Sequence, residues 1–252
     1  MGQGRPRAER TSSPKEVSPS AAADPCAGSL PCTRELSIEE KCSKLGILVN
    51  SSTFFSGVPR ACHRARVAID GAQCTGKTTV FQHLRSTLPG RTKFIPETSR
   101  EVAGQFGVVG ASDWPGLIAD QRRLREFFEA EEAFQRLAEG GCGAFVVDSS
   151  LYLIRAYREY FGVPPLPGEC GEFAYDLILY CPAVRCGVED GFRFLAGRAD
   201  VDQLCRDTLR RCHRGQLIEL PADESRFLRA EEAVLGCLEQ WGQGGVVGNG
   251  AL

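Results

Sequence analysis

The stretch Gly71-Ala-Gln-Cys-Thr-Gly-Lys-Thr-Thr79 decides the fold of this chain. It matches the pattern G-x-x-x-x-G-K-[ST], whose backbone cradles phosphate groups. A short apolar run, Arg66–Asp70, precedes it, and a segment with apolar residues at helical spacing, Lys77–Leu88, follows it. The motif is therefore predicted to connect a buried strand to a helix. This context distinguishes it from a glycine-rich surface turn with a solvated lysine.

The residue types of this motif suit a nucleoside triphosphate. Gly76 lets the backbone approach phosphate oxygens, and successive amides form an anion nest at the positive end of the following helix. Lys77 supplies a positive charge for the β- and γ-phosphates, and the Thr78 hydroxyl is a ligand for Mg²⁺. We therefore expect ATP or GTP, with Mg²⁺, at nine consecutive residues: Gly71, Ala72, Gln73, Cys74, Thr75, Gly76, Lys77, Thr78 and Thr79.

Outward from the motif, strands and helices alternate. Five apolar runs are predicted as strands, at residues 66–70, 93–96, 144–147, 177–180 and 216–220. Helices are predicted between and after them, at residues 77–88, 99–106, 117–138, 151–161, 201–211 and 225–241. Such alternation is typical of a parallel sheet with helices on both faces. The predicted fold class is α/β: a three-layer αβα P-loop NTPase with a five-stranded parallel sheet.

The composition shifts along the chain predict its domain organisation. Residues 1–33 are rich in Ser, Pro, Ala and Gly and are expected to form a disordered tail. Residues 34–63 receive no assignment, 64–241 form the nucleotide-binding domain, and the Gly-rich residues 242–252 are expected to be flexible. No apolar run approaches the roughly 18 residues of a transmembrane helix. The tail also lacks the apolar core of a secretory signal, so a cytoplasmic protein is expected.

Composition and charge exclude several classes of protein. The chain has 252 residues, a formal net charge of −2 and 42% hydrophobic residues, which is ordinary for a globular protein. A collagen, a wholly disordered chain and a strongly basic nucleic-acid binder are thereby excluded. The 12 cysteines and 3 histidines include no Cys-x-x-Cys pair or other zinc spacing. Free thiols are therefore expected.

Asp148 ends the apolar run Ala144–Val147, as the acidic residue of a Walker B strand does. Ligands of doubly wound sheets lie outside the carboxyl ends of the strands, so Asp148 is expected to face Mg²⁺. The alternative is that Asp148 caps the following helix. Ser149 follows it, where ATP-hydrolysing machines commonly carry Glu, and no Asn-Lys-x-Asp stretch is present to read guanine. Both features favour phosphoryl transfer to a small acceptor over a motor or a switch GTPase.

Residues Ile95–Glu101, at the end of the second predicted strand, are expected on the acceptor side of the site. Glu97 is the first candidate for the general base that accepts the proton of an attacking hydroxyl, and Glu101 is the second. Arg100 is a candidate contact to phosphate or acceptor. The alternative is that these acids only begin a helix, where they favour the helix dipole.

The loop 183–200 after the fourth strand carries three arginines, Arg185, Arg193 and Arg198. In phosphotransferases with this strand pattern, such a loop is a mobile lid whose arginines neutralise transition-state charge, and Arg193 is the catalytic candidate. The alternative is a solvated surface loop. A further aromatic series is more typical of core than of a base-stacking surface: Tyr152, Tyr157 and Tyr160.

Several of these segments together resemble the P-loop domain of bacterial NadR-type nicotinamide-riboside kinases and their AAA-domain relatives in eukaryotes. The matching residues are Gly71–Thr79, Phe94–Glu101, Val146–Asp148, Tyr175–Leu179 and Glu189-Asp-Gly-x-Arg193. The resemblance spans roughly residues 64–240. It implies a nucleoside-kinase-like αβα fold with ATP and Mg²⁺. By the same resemblance Asp148 serves the metal or the acceptor, and Asp190 and Arg193 belong to the lid.

Two functions from different classes follow from these observations. The first is a kinase that moves the γ-phosphoryl group of ATP to a hydroxyl of a nucleoside-like small molecule. Lys77, Glu97, Asp148 and Arg193 are its expected catalytic residues, with Mg²⁺ on Thr78 and Asp148. The alternative is a non-catalytic or slowly hydrolysing ATP- or GTP-binding regulator, because the sequence displays no acceptor site. The third hypothesis is a domain that binds another phosphate-containing ligand.

Overall fold

The computed structural model describes residues 65–88, 90, 92–140, 143–164, 173, 175–183 and 197–243. The predictions for residues 1–33 and 34–63 lie outside this part of the chain, as does the prediction of a flexible end at 242–252 except for Gly242 and Gln243, which belong to the last helix. Within it, no helix combines the length and the apolar character that a membrane span requires.

In the described residues, five strands and seven α-helices follow one another in the predicted order, except that one of the six predicted helices is two. The strands are β1 (Arg66–Asp70), β2 (Lys93–Ile95), β3 (Phe145–Asp148), β4 (Leu177–Tyr180) and β5 (Gln216–Glu219). The helices are α1 (Lys77–Thr87), α2 (Ser99–Gln105), α3 (Trp114–Ala119), α4 (Gln121–Glu139), α5 (Leu151–Tyr160), α6 (Arg198–Cys212) and α7 (Ser225–Gln243). A short 3₁₀ turn, Ala111–Asp113, precedes α3.

All five strands are parallel and lie in the order β2-β3-β1-β4-β5. The central strands β1, β3 and β4 are almost entirely buried. Side chains alternate between the two faces of a strand, so each face has its own apolar cluster. On one face Ala68, Val147 and Ile178 pack among residues of α2 to α6. On the other face Val67, Val146 and Leu179 pack against α1 and α7. The predicted three-layer αβα fold is confirmed.

The helix predicted over residues 117–138 was wrong in one respect, because it is two helices. Asp120 has an extended backbone (ψ 91°) and separates α3 from α4. Its carboxylate accepts hydrogen bonds from the backbone N–H groups of Arg122 and Arg123, at 3.2 and 3.1 Å. A carboxylate that caps the first turn of a helix stabilises a new start at that point. The helical periodicity of the apolar residues continues across the break and conceals it.

The described cysteines are free thiols, as the sequence predicts. Four of them are buried and one is half-buried: Cys181, Cys205, Cys212, Cys237 and Cys74. Burial raises the pKa of Cys181 to about 12, so this thiol stays protonated and packs as a small apolar group. In the described part of the chain, no three His, Cys, Asp or Glu side chains come together in a way that could hold a metal ion.

Candidate active site

The loop between β1 and α1 has a backbone that only a few residue types tolerate. Gly71 and Gly76 have φ angles of 144° and 89°, and Cys74 has a φ of 56°. A Cβ atom on Gly71 would lie 2.3 Å from the backbone oxygen of Cys181, at the end of β4. Gly71 therefore has both an unusual backbone angle and no room for a side chain. The two glycines of the motif hold the loop close against the carboxyl edge of the sheet.

Lys77, the first residue of α1, lies folded over this loop. Its side chain is only 3% exposed, and its ammonium group donates a hydrogen bond of 2.9 Å to the backbone oxygen of Ala72. The Thr75 hydroxyl donates to the same oxygen, also at 2.9 Å. The positive charge thus lies at the amino end of a helix, where the backbone dipole already favours anions.

Asp148 ends β3 opposite the loop and is 1% exposed. Burial raises the pKa of its carboxyl group, whereas the Lys77 charge, a hydrogen bond with Thr78 and the Arg100 charge lower it. Among the described residues, Asp148 Oδ1 has no hydrogen-bond partner. A buried carboxylate oxygen without a partner, close to the hydroxyl of the exposed Thr78, has the chemistry of an Mg²⁺ site. The two predicted metal ligands therefore fit the ion.

Asp70, which the search for motifs missed, is a second buried carboxylate at this edge. It is fully buried, and it accepts hydrogen bonds from the Ser150 backbone N–H at 2.8 Å and the Ser150 hydroxyl at 2.6 Å. Burial raises the pKa of Asp70 to about 6, against the lowering effect of these two bonds. The sequence signal was an acid at the end of a buried strand, directly before the phosphate motif.

Ser150, not Asp148, caps the helix that follows β3. Its hydroxyl accepts hydrogen bonds from the N–H groups of Tyr152 and Leu153, at 3.0 and 3.3 Å. Asp148 is therefore not needed as the cap of α5, and this alternative reading of Asp148 is wrong. Because Asp70 binds Ser150, the end of β1 fixes the turn that directly follows Asp148.

Arg226, near the start of α7, is a further charged group at the phosphate loop. A Cβ atom on Gly76 would lie 2.9 Å from its Nη1. The guanidinium lies over the Phe227 ring, 5.3 Å from the centroid, and its buried Nε has no hydrogen-bond partner among the described residues. Arg226 is about 150 positions from the motif, so no local sequence signal connected it to the loop.

Beside Lys77 a cleft opens that the sequence did not display. Counted together with the open solvent at its mouth, it holds about 740 Å³ of space not filled by protein atoms. Aromatic side chains from α3, α4, α5 and the end of α5 line it: Trp114, Phe127, Phe128, Tyr157, Tyr160 and Phe161. Polar side chains line it as well: Gln73, Lys77, Glu97, Ser99, Glu131 and Ser149. Apolar walls with a few convergent polar groups are typical of a small-molecule site.

The structure places the acceptor-side candidates in different environments. Glu97 is half-buried and lines the cleft together with Lys77. Glu101, the second candidate, is exposed on α2 and does not line the cleft. Arg100 is exposed, and its charge contributes to the environment of Asp148. The structure thus places Glu97 and Lys77 in one cleft and leaves Glu101 outside it.

The tyrosine series also divides. Tyr152 is fully buried in the core, as predicted. Tyr157 and Tyr160 line the cleft. The Tyr157 hydroxyl donates to Gln73 Oε1 at 2.9 Å and so connects α5 to the phosphate loop. The core prediction is confirmed for Tyr152 and also for Tyr157, which packs against the core as well as lining the cleft; Tyr160 lines the cleft without being part of that core cluster.

Glu131 on α4 is a buried carboxylate that the sequence analysis missed. It accepts a hydrogen bond from the Ser99 hydroxyl and lines the cleft. Burial raises the pKa of Glu131 to about 7, the Ser99 bond lowers it, and the charge of Glu132 raises it further. Glu132 itself pairs with Arg136 at 2.8 Å and with Arg158 at 3.3 Å. The helical pattern of α4 gave no signal, because acids are common on solvated helix faces.

The predicted lid arginines Arg185 and Arg193, with Asp190, lie outside the described residues. Arg198 is described as the first residue of α6. Gly197, directly before it, has a φ of 73°, and a Cβ atom there would lie 1.7 Å from the Tyr160 hydroxyl. Tyr160, which lines the cleft, therefore lies against Gly197 at the start of α6.

The fold and this site define a class. A phosphate-binding loop between β1 and α1 of a parallel five-stranded sheet, with an acid at the end of β3, is a P-loop NTPase domain. Residues 66–226 match the family model described as AAA domain. The chain belongs to this AAA-domain family.

Similar solved structures come from two kinds of protein. A crystal structure of NadR protein in complex with NR shares 21% identity and a TM-score of 0.45, over 70% of this chain and 52% of that one. A crystal structure of NadR protein in complex with NAD and AMP-PNP shares 19% identity and a TM-score of 0.47, over 75% of this chain and 52% of that one. The structure of thymidylate kinase from Candida albicans shares 16% identity and a TM-score of 0.48, over 69% of this chain and 92% of that one. The chain thus spans about half the length of NadR. No curated protein sequence matches this chain significantly.

Proposed function

We propose that the protein is an ATP-binding P-loop phosphotransferase that phosphorylates a hydroxyl group of a nucleoside-like small molecule. One observation carries this proposal. The aromatic cleft opens directly beside Lys77, and the half-buried carboxylate of Glu97 lines the same cleft. An acceptor bound there would have flat apolar surfaces for a base and a polar end next to the phosphate loop.

In this proposal the residues Gly71–Thr79 hold the triphosphate. The anion nest of the loop, the Lys77 ammonium group and the amino end of α1 bind the β- and γ-phosphates. Arg226, near Gly76, adds a second positive charge at the loop. Thr78 and Asp148 would hold Mg²⁺, which neutralises charge on the transferring phosphoryl group when it is bound.

At the acceptor, Glu97 takes the proton of the attacking hydroxyl. This role is supported by the cleft that Glu97 and Lys77 line together. Lys77 and Arg193 of the lid then stabilise the charge that spreads over the phosphoryl oxygens. The aromatic side chains exclude water, so the acceptor hydroxyl rather than water is the nucleophile.

The proposal is tested by ADP formation from ATP and Mg²⁺ with a panel of nucleosides, including nicotinamide riboside, against an acceptor-free control. We expect ADP formation that depends on one acceptor and a phosphorylated product detectable by mass spectrometry. Tight nucleotide binding with no acceptor-dependent ADP formation across the panel would contradict the proposal. That outcome would favour the regulatory alternative.

A further inference from the structure

Gln135 on α4 is a buried polar side chain that has no place in the steps described above. It is only 1% exposed. Burying an amide is unfavourable unless its polar atoms find partners, so an apolar side chain of the same length would be the simpler choice at this position. The partners of the amide therefore indicate what Gln135 does.

Three hydrogen bonds use both ends of the Gln135 amide. Its Oε1 accepts from the Thr98 hydroxyl at 3.0 Å. Its Nε2 donates to Glu139 Oε1 at 2.7 Å and, over the longer distance of 3.4 Å, to the backbone oxygen of Ser149. A carbonyl oxygen only accepts, as does an ionised carboxylate, so the amide nitrogen must face Ser149 and Glu139. The amide oxygen must then face Thr98, and the orientation of the side chain is fixed.

The contacts of Gln135 reach the ends of two neighbouring strands. Thr98 comes shortly after β2 and directly after Glu97. Ser149 directly follows Asp148, the last residue of β3. Because β2 and β3 are parallel neighbours, these segments lie at the same edge of the sheet. Gln135 therefore connects the segment of the candidate base to the segment of the candidate metal ligand.

Other hydrogen bonds hold the partners of the Gln135 amide nitrogen. Ser149 has a φ of 89°, which serine seldom adopts, and its N–H group donates to the backbone oxygen of Ile69 in β1 at 3.1 Å. Residues in such conformations persist where the surrounding structure fixes them. Glu139 accepts from the Tyr175 hydroxyl at 2.7 Å, and this hydroxyl accepts from the Leu151 N–H group at 3.1 Å. The nitrogen end of the amide is thus connected to β1 and to the start of α5.

We propose that Gln135 is a positioning residue for phosphoryl transfer, which holds Thr98, and with it Glu97, in place relative to the turn after Asp148. This inference rests on the proposed function and adds a residue that acts through another. A general base must lie within hydrogen-bond reach of the attacking hydroxyl, and a displacement of about 1 Å can cost about 100-fold in rate. Loss of the Gln135 contact should therefore lower the rate of transfer and leave the binding of both substrates unchanged.

Gln135→Met and Thr98→Val test this role in steady-state kinetics of the whole protein. Methionine keeps the length of the side chain without its hydrogen bonds, and valine keeps the shape of threonine without its hydroxyl. We expect kcat to fall about 10- to 100-fold in each variant. The KM of the acceptor and the affinity for ATP should stay within about twofold of the wild-type values. Thr98→Ser keeps the hydroxyl and should keep the wild-type kcat.

Two double variants test whether Gln135 acts through Thr98 and Glu97. Effects of residues that act as one unit do not add. Gln135→Met should therefore lower kcat no further when it is combined with Thr98→Val or with Glu97→Gln. A further fall of about tenfold in either combination would show an independent effect and overturn the inference.

Amide hydrogen exchange gives a readout that does not depend on turnover. The Val102 N–H group donates to the backbone oxygen of Thr98 at 3.2 Å, so its exchange reports whether the start of α2 is held. We expect this amide to exchange at least about fivefold faster in Gln135→Met and in Thr98→Val. Thr98→Ser should exchange at the wild-type rate, and the amides of the phosphate loop should be unchanged in all three variants.

Gln203→Met on α6 is the matched control. Gln203 is exposed, and its amide donates to Asp207 Oδ2 at 2.9 Å, across the same spacing of four residues as the bond from Gln135 to Glu139. The substitution is chemically the same, but this amide reaches neither strand end. Neither kcat nor the exchange of Val102 should change, and an equal loss in both variants would refute the positioning role.

The remaining outcomes separate this inference from the proposed function. A wild-type protein that transfers phosphate, with a normal kcat in Gln135→Met, overturns the inference alone. A lower thermal midpoint with an unchanged kcat, or a lower kcat with unchanged exchange at Val102, also overturns it. If Gln135→Met does not fold, Thr98→Val decides, because it leaves α4 intact. A wild-type protein that transfers phosphate to no acceptor refutes the proposed phosphotransferase and this inference with it.

Discussion

The phosphate loop and the cleft beside it are built in different ways. The loop is a run of nine consecutive residues, Gly71–Thr79, between a strand and a helix that adjoin it in sequence. The cleft takes its lining from residues between Gln73 and Val201, on several separate elements. A site made from one segment is determined by local chemistry, whereas a site made from many depends on how the sheet and helices pack. The predictions below test this difference.

The largest expected effect is that of Lys77→Ala. The variant loses the buried ammonium group of the loop and its charge-assisted contacts to phosphate, each worth about 1.5–3 kcal/mol. We expect nucleotide affinity to fall at least about tenfold and turnover to disappear. Calorimetric titration with ATP and GTP measures the affinity directly.

Lys93→Ala is the matched control for this variant. Lys93 is exposed at the amino end of β2, whereas the phosphate loop follows the carboxyl end of β1 in the same parallel sheet. The Lys93 charge should therefore not affect the nucleotide. Equal nucleotide affinity in the Lys77 variant and the wild-type protein would show that the loop does not bind the triphosphate.

Glu97→Gln should lower turnover, which depends on the cleft, without changing ATP affinity, which depends on the phosphate loop. A positioned general base contributes about 10²- to 10⁴-fold to a rate, so turnover should fall by about that factor. ATP affinity should stay the same, because Glu97 is not part of the phosphate loop. Steady-state kinetics and ATP titration of the same preparation give both values. The exposed Glu101→Gln variant is the control, and normal turnover in Glu97→Gln would assign the base to another group.

The sequence predicted the fold and the loop because both have local signals. Apolar runs identify buried strands, and the spacing of Gly71, Gly76 and Lys77 identifies a phosphate cradle. Glu131 and Ser149 gave no such signal, since a glutamate on a helix and a serine after a strand are ordinary in isolation. Their burial exists only once α4 packs against the end of β3. Asp70 lies between these cases, because its position before the loop was visible but its bond to Ser150 was not.

Gly71→Ala tests how strongly the loop depends on its backbone. The new Cβ would meet the Cys181 backbone oxygen at 2.3 Å, at a φ of 144°. Strain and the clash with backbone together should reduce the free energy of unfolding by about 4 kcal/mol. Denaturant unfolding measures the change. Gly104→Ala in α2 has open space around the site, so it should be neutral or slightly stabilising; a similar loss in both variants would refute the clash.

Glu131→Gln should alter how stability depends on pH. Burial raises the pKa of Glu131 from 4.5 to about 7, so the folded chain holds this proton more tightly than the unfolded chain. The stability from this proton is complete below about pH 4.5 and is lost as the pH rises to about 7. Gln does not titrate, so the variant should lose less stability over this range, by on the order of 2–3 kcal/mol. An equal change of the free energy of unfolding with pH in both proteins across this range would contradict the prediction.

Asp120→Ala should have the smallest effect, and it bears on the cleft alone. Asp120 caps α4, the helix that carries Phe127, Phe128 and Glu131 into the cleft. Loss of an N-cap costs about 1 kcal/mol, and fraying of the first turn should slightly weaken acceptor binding. ATP affinity should be unchanged, because the loop belongs to β1 and α1. Glu239→Ala removes an exposed acid from α7 and should change neither quantity. A loss of ATP affinity in Asp120→Ala would mean that the loop also depends on distant packing, and that the two regions differ less than their construction indicates.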